Sequence, residues 1–257
     1  MRLHSQIVPV GSAELRVQQG GDARGETILL LHGGLGTCED FAALLPFLAD
    51  YRCVLIDSRG HGASTLGTER LRYSTLAADA AAVLDTLKID RPYVIGHSDG
   101  GIAGIHLATG RPLAGLVTLG AQARPPASEA LDTIFRPLTA EMWRGKFPDD
   151  VALYERLNPA PDFDRLFAAV HDMWCDESAG NYPGEGARAA ACPALVIGGD
   201  RDQLVTRAMT FELAELMPRA RLAILPYASH VPHQEMPAET AALVRTFLAA
   251  SPEPDEA

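Results

Sequence analysis

The 257 residues are 47% hydrophobic and 21% charged, the balance of an ordinary globular chain able to bury a large core. A formal net charge of −11 leaves no basic footprint, which argues against nucleic acid or an anionic membrane surface as a partner. Met1–Gln6 is not followed by an apolar stretch of signal-peptide length, and no run reaches 18 apolar residues; a cytoplasmic chain with no membrane span is expected.

In chain order, two short β-like runs come first, near Ile7–Val10 and Leu15–Gln18. Continuous apolar runs follow at Thr27–Leu31, Cys53–Ile56, Pro92–Ile95, Leu116–Leu119, Ala194–Ile197 and Leu222–Leu225. Apolarity that does not alternate predicts strands buried on both faces. Helix-like stretches lie between them at Glu39–Leu48, Thr75–Leu87, Gly101–Thr109, Arg207–Met217 and Ala238–Leu248. The alternation predicts βαβ units, an α/β fold with a mostly parallel sheet flanked by helices. The stretch 121–191 breaks it, with helix-like pieces near Ser128–Arg136, Asp149–Leu157 and Phe163–Asp176 and no convincing strand. Residues 1–120 and 192–250 are therefore expected to form the core, 121–191 a helical cap or lid, and 251–257 a frayed tail. Cys38, Cys53, Cys175 and Cys192 form no Cys-x-x-Cys pair and read as reduced thiols.

The chemistry concentrates where predicted strands end. After Tyr93–Ile95 comes Gly96-His97-Ser98-Asp99-Gly100-Gly101 and then a helix, the Gly-x-Ser-x-Gly pattern in the strand–turn–helix setting that presents a serine oxygen above a sheet. A serine needs an adjacent base. His230 and His233 both lie just beyond the last strand. An acid to orient the base belongs after the preceding strand, where Asp202 is favoured, and Asp200 is left to pair with Arg201 or shape the turn. An oxyanion needs two donors: the backbone N–H of Asp99, and one from the glycine-rich loop after Thr27–Leu31, Gly34 or else Leu35. Asp57–Ser64 reads as a buried polar network holding the loops.

His32-Gly33-Gly34, Asp57-Ser58-Arg59-Gly60-His61-Gly62, Gly96–Gly101, Gly199-Asp200-Arg201-Asp202 and His230…Glu235-Met236-Pro237 together resemble the α/β-hydrolase superfamily over most of the chain. The resemblance implies Asp202 as the acid and His230 as the base. Within it the chain is similar to small capped serine esterases of the biphenyl hydrolase-like and valacyclovirase type, in which an Asp follows the nucleophile as Asp99 does. In valacyclovirase-type enzymes that carboxylate contacts a substrate amino group; Asp99 is equally placed to cap a helix. Position 98 is Ser, unlike the Asp nucleophile of epoxide hydrolases and haloalkane dehalogenases.

The expected function is hydrolysis of a carboxylic ester through an acyl-enzyme. Carbon–carbon or lactone cleavage, acyl transfer or cyclisation, and a non-catalytic receptor are the alternatives. Expected substrate contacts are Leu35, His97, Trp143, Trp174 and Val231. A small-molecule substrate, no metal or organic cofactor, and a monomer or homodimer complete the expectation.

Overall fold

The continuous apolar runs from Thr27–Leu31 to Ala194–Ile197 become strands because both of their faces find cover, whereas Leu222–Leu225, expected to be buried in the same way, forms the edge of the sheet, where Leu225 is buried and Leu222 exposed. The computed structural model describes residues 1–250; the tail expected to fray, 251–257, lies outside the described residues. The strands are β1 (His4–Val10), β2 (Ala13–Gly21), β3 (Thr27–Leu31), β4 (Arg52–Ile56), β5 (Tyr93–His97), β6 (Gly115–Leu119), β7 (Ala194–Gly199) and β8 (Ala220–Leu225). They form one sheet in the order β1-β2-β4-β3-β5-β6-β7-β8. β1 and β2 are antiparallel and β2 meets β4 antiparallel; every pairing from β4 through β8 is parallel.

Period-two side-chain alternation divides each central strand between two cores. Leu29, Leu31, Val54, Ile56, Val94 and Leu116 pack on one face with α1 (Tyr73–Thr86), α2 (Asp99–Gly110) and α7 (Arg207–Leu216). Ile28, Leu30, Leu55, Ile95, Val117 and Ile197 face the other way, against α9 (Pro237–Ala249) through Val244, Phe247 and Leu248. Parallel strands place their carboxyl ends together, so the loops after β3, β5, β7 and β8 open on one rim.

Between β6 and β7 the chain forms α3 (Ser128–Ala130), which widens into a π-helical turn over Leu131–Phe135, then α4 (Ala140–Lys146), α5 (Pro148–Leu157) and α6 (Phe163–Trp174). Asp162 starts α6 by accepting from the Arg165 N–H at 3.0 Å. The helix buries Leu166, Phe167, Val170, Met173 and Trp174, which join the cluster that contains α1 and α2.

The segments 39–48 and 140–146 differ from expectation. Glu39–Leu48 is not one helix but two 3₁₀ turns, Cys38–Phe41 and Leu45–Leu48. Thr37 and Asp40 close a capping box on the first turn, and Pro46 has no N–H to extend its ladder. Helix α4, started by a Thr139 cap on the Met142 N–H, falls where no helix is predicted, because its short sequence carries Gly145 and little apolar pattern. No helix among the described residues is long and apolar enough to cross a membrane.

Candidate active site

Ser98 sits between the end of β5 and the start of α2 with φ 50° and ψ −117°, the left-handed side of backbone space that a non-glycine residue enters at a cost of about 1–3 kcal/mol. Its N–H donates to the Leu119 carbonyl at 2.8 Å, which pins the turn to the end of β6. The flanking glycines make the turn possible. A Cβ at Gly96 would lie 2.6 Å from the Gly101 Cα, and one at Gly100 would lie 2.6 Å from the His32 carbonyl oxygen.

His230, on the loop after β8, reaches this serine. Its Nδ1 is 2.8 Å from Asp202 Oδ2 and its Nε2 is 2.9 Å from Ser98 Oγ. A carboxylate only accepts, so Nδ1–H donates to Asp202 and Nε2 is left to accept from the serine hydroxyl. Asp202 is fixed by its other oxygen, which accepts from the Leu204 and Val205 N–H groups at 2.8 and 2.9 Å. Asp200 is spent otherwise: its carboxylate accepts from the Tyr227 N–H at 2.6 Å and shapes the turn after β8. The imidazole lies over the end of β6, where a Cβ on Gly120 would come within 3.1 Å of His230 Nδ1.

Three further groups hold the histidine loop. Glu235 accepts from the Ser229 N–H at 2.6 Å and the Ser229 hydroxyl at 2.5 Å, clamping the residue before His230. His97 donates from Nε2 to the His230 carbonyl at 2.9 Å. His233 is fully buried, its ring 4.6 Å from that of His97 and 5.3 Å from that of Phe41. Burial, then the neighbouring His233 and His230, hold His97 well below the usual histidine range. Burial likewise pushes His233 down to about 3. Glu235 is the one of the three that sequence reading placed only as part of a motif; its six-residue separation from Ser229 was the available signal.

On the opposite side lies the loop after β3. The Ser58 N–H donates to His32 Nε2 at 2.9 Å, so Nδ1 carries the ring proton and donates to the Gly33 carbonyl at 2.7 Å. That bond steadies the chain entering Gly34, and Leu35 follows, buried at φ 58°. Asp99 is the first residue of α2, so its N–H is among those that a helix leaves without an intrahelical partner. The Asp99 carboxylate is turned inward and buried. Tyr73 donates its hydroxyl to Oδ1 at 3.0 Å, and the Trp174 indole N–H donates to Oδ2 at 2.8 Å. Burial raises the Asp99 pKa, and these two donors pull it partly back.

The Asp57–Ser64 segment forms the network its sequence predicts. Asp57 accepts from Arg16 Nε at 2.5 Å and from the Cys38 and Ala63 N–H groups. Arg59, almost fully buried, makes a two-pronged pair with Asp79 at 2.6 and 2.5 Å. His61 lies in the same network, donating to the Arg59 carbonyl, with its pKa pushed down to about 3 first by burial and then by His32. Of the expected substrate contacts, Trp143 and Trp174 stand together in the helical segment with ring centroids 5.8 Å apart. Val231, half-buried, follows His230 directly.

A serine, an imidazole and a carboxylate bonded in series at the rim of this sheet are the layout of a known group of enzymes. A family model described as the alpha/beta hydrolase family matches residues 28–243. The chain belongs to the α/β-hydrolase family. This α/β hydrolase is 29% identical to 2-hydroxymuconate semialdehyde hydrolase of Pseudomonas sp. (strain CF600), over 93% of its own length and 92% of that protein's. It is also 29% identical to serine hydrolase BPHL of Mus musculus, over 95% and 86% of the two chains. Among solved structures it superposes on the enol-lactonase of Burkholderia xenovorans LB400 with a TM-score of 0.76 at 24% identity, covering 95% of this chain and all of the other. That last likeness concerns the fold.

Proposed function

We propose that this α/β hydrolase is a serine esterase acting through a covalent acyl-enzyme. One observation carries the reading: Ser98 Oγ, His230 and Asp202 are linked at 2.9 and 2.8 Å behind a serine held at positive φ. The Ser98 oxygen adds to an ester carbonyl while His230 Nε2 takes its proton, and Asp202 steadies the imidazolium. The Gly34 and Asp99 N–H groups receive the oxyanion; each such donor is worth about 3–4 kcal/mol of barrier. The C–O bond then breaks, and the leaving alcohol takes the proton from His230. Water attacks the acyl-serine by the same route in reverse roles.

The helical segment 121–191 serves as a cap over this rim, with Trp143 and Trp174 on its inner side. The substrate is a small organic ester, and the proton transfers draw on side chains alone. A second reading is cleavage of a lactone or a carbon–carbon bond on the same three residues, the latter supported by the likeness to 2-hydroxymuconate semialdehyde hydrolase.

The test is a fluorophosphonate probe together with p-nitrophenyl acetate. Labelling that maps to Ser98 and disappears in His230→Ala, with turnover of the ester, supports the proposal. Folded wild-type protein that neither labels nor hydrolyses overturns it. Turnover of an enol-lactone or of 2-hydroxymuconate semialdehyde at rates far above any ester transfers the assignment to the second reading.

A further inference from the structure

We propose that Trp174 is a positioning residue that ties the helical segment to the oxyanion hole through the Asp99 side chain. The inference rests on the esterase reading and adds to it a residue that touches no reacting atom. Asp99 supplies one N–H of the hole from its main chain, and its carboxylate runs back to the end of α6, where the Trp174 indole N–H donates to Oδ2 at 2.8 Å. The same indole lies against the loop that supplies the other donor: a Cβ at Gly34 would stand 2.6 Å from Trp174 Cζ2 and would also collide with Asp99 Oδ2. One ring therefore fixes both sides of the hole. Its own position is held from behind, because the Tyr182 hydroxyl donates to the Trp174 carbonyl at 3.1 Å and lies 3.3 Å from the Tyr73 hydroxyl that holds Asp99 Oδ1.

Two consequences follow from the chemistry of the donor. An indole N–H can only donate, so Oδ2 stays an acceptor and its charge is drawn towards the ring. Without that donor, a buried carboxylate oxygen would face Gly34, beside the place where the reaction makes negative charge. The Gly34 loop would also lose the surface it rests on, and a misplacement of about 1 Å in such a site costs on the order of a hundredfold in rate.

The test is a double-mutant cycle of Trp174→Phe and Asp99→Ala on p-nitrophenyl acetate, with phenylboronic acid as a probe whose Ser98 adduct places an oxygen in the hole. Trp174→Phe keeps a ring and removes the N–H. We expect kcat to fall about tenfold, KM to stay within about twofold, and boronate affinity to fall in step with kcat. The double variant should lose no more than the worse single variant, since both cut one link. A Trp174→Phe protein with unchanged kcat overturns the proposal. So does a raised KM with kcat intact, which marks simple packing, or losses that multiply in the double variant. Wild-type protein inert to ester and fluorophosphonate would instead overturn the esterase reading on which the inference stands.

Discussion

The imidazole of His97 holds the main chain of His230: Nε2–H donates to the His230 carbonyl oxygen across 2.9 Å, beneath the ring that reaches Ser98. His97 is the residue before the proposed nucleophile, so one dipeptide carries the Ser98 oxygen and a tether to the histidine bonded to it. Replacing it with Phe should keep the packing against His233 and lose the tether. The expected result is a fall in kcat of about tenfold with KM nearly unchanged, and partial recovery in His97→Gln, whose amide N–H can reach the same carbonyl. Steady-state kinetics on p-nitrophenyl acetate decide this, and full activity in His97→Phe would show the tether to be dispensable.

Asp202→Asn tests the acid. The amide cannot serve as an acceptor at both Leu204/Val205 and His230 without presenting an N–H to one of them, and the imidazole tautomer is no longer enforced. A loss on the order of 10⁴-fold in kcat is expected, with melting temperature little changed. Asp200→Asn should leave kcat within a few-fold, because that carboxylate serves the Tyr227 turn. If the two variants behaved alike, the acid would be misassigned.

Gly34→Ala tests the close approach on the other side of the serine. The added methyl meets Trp174 Cζ2 at 2.6 Å and the Asp99 carboxylate, so the loop must move away. Activity should drop about a hundredfold while the circular dichroism spectrum stays that of the parent. Retained activity would place the second oxyanion donor elsewhere.

The buried histidines set the acid limit of stability. His61 and His233 are each pushed down to about 3, chiefly by burial, against about 6.5 in an unfolded chain. Between those values the unfolded chain binds protons that the folded chain refuses. Stability is therefore full above pH 6.5 and is lost as the pH falls towards 3, at up to about 1.4 kcal/mol per pH unit for each ring. Urea midpoints at pH 7.5 and pH 5 measure the slope. His233→Leu should flatten it by about one proton, and an unchanged slope would remove His233 from the account.

The sheet was legible in the sequence because burial on both faces leaves unbroken apolar runs, as at Thr27–Leu31 and Ala194–Ile197. The residues now found in series were legible because each lies just beyond the end of a predicted strand. Choosing between Asp200 and Asp202, or between His230 and His233, was harder, since either member of each pair lies on the right loop and only the family resemblance separated them; in the structure Asp202 and His230 are the members bonded in series with Ser98. Less legible were features made by distant partners. The Trp174–Asp99 bond joins residues 75 apart, and the His97–His230 bond residues 133 apart. Expectation placed His97 and Trp174 against substrate, the one beside the serine and the other as an aromatic of the cap, whereas His97 Nε2 and the Trp174 indole N–H are engaged by the protein itself. The 3₁₀ turns around Pro46 and the short helix α4 escaped because neither carries a helical apolar stripe.

β6 and β7 are adjacent and parallel, so the chain that departs beyond Leu119 at one end of the sheet re-enters at Ala194, beside Leu116, one strand across and three residues, about 10 Å, back along the sheet. Everything between is an excursion that leaves from the rim and returns across a face of the sheet. An excursion of that kind can be exchanged for one of different length without re-registering a single strand. If the proposed esterase reading holds, selection, or an engineer, can revise what the molecule admits while leaving bond cleavage alone, provided each replacement offers Asp99 a new donor.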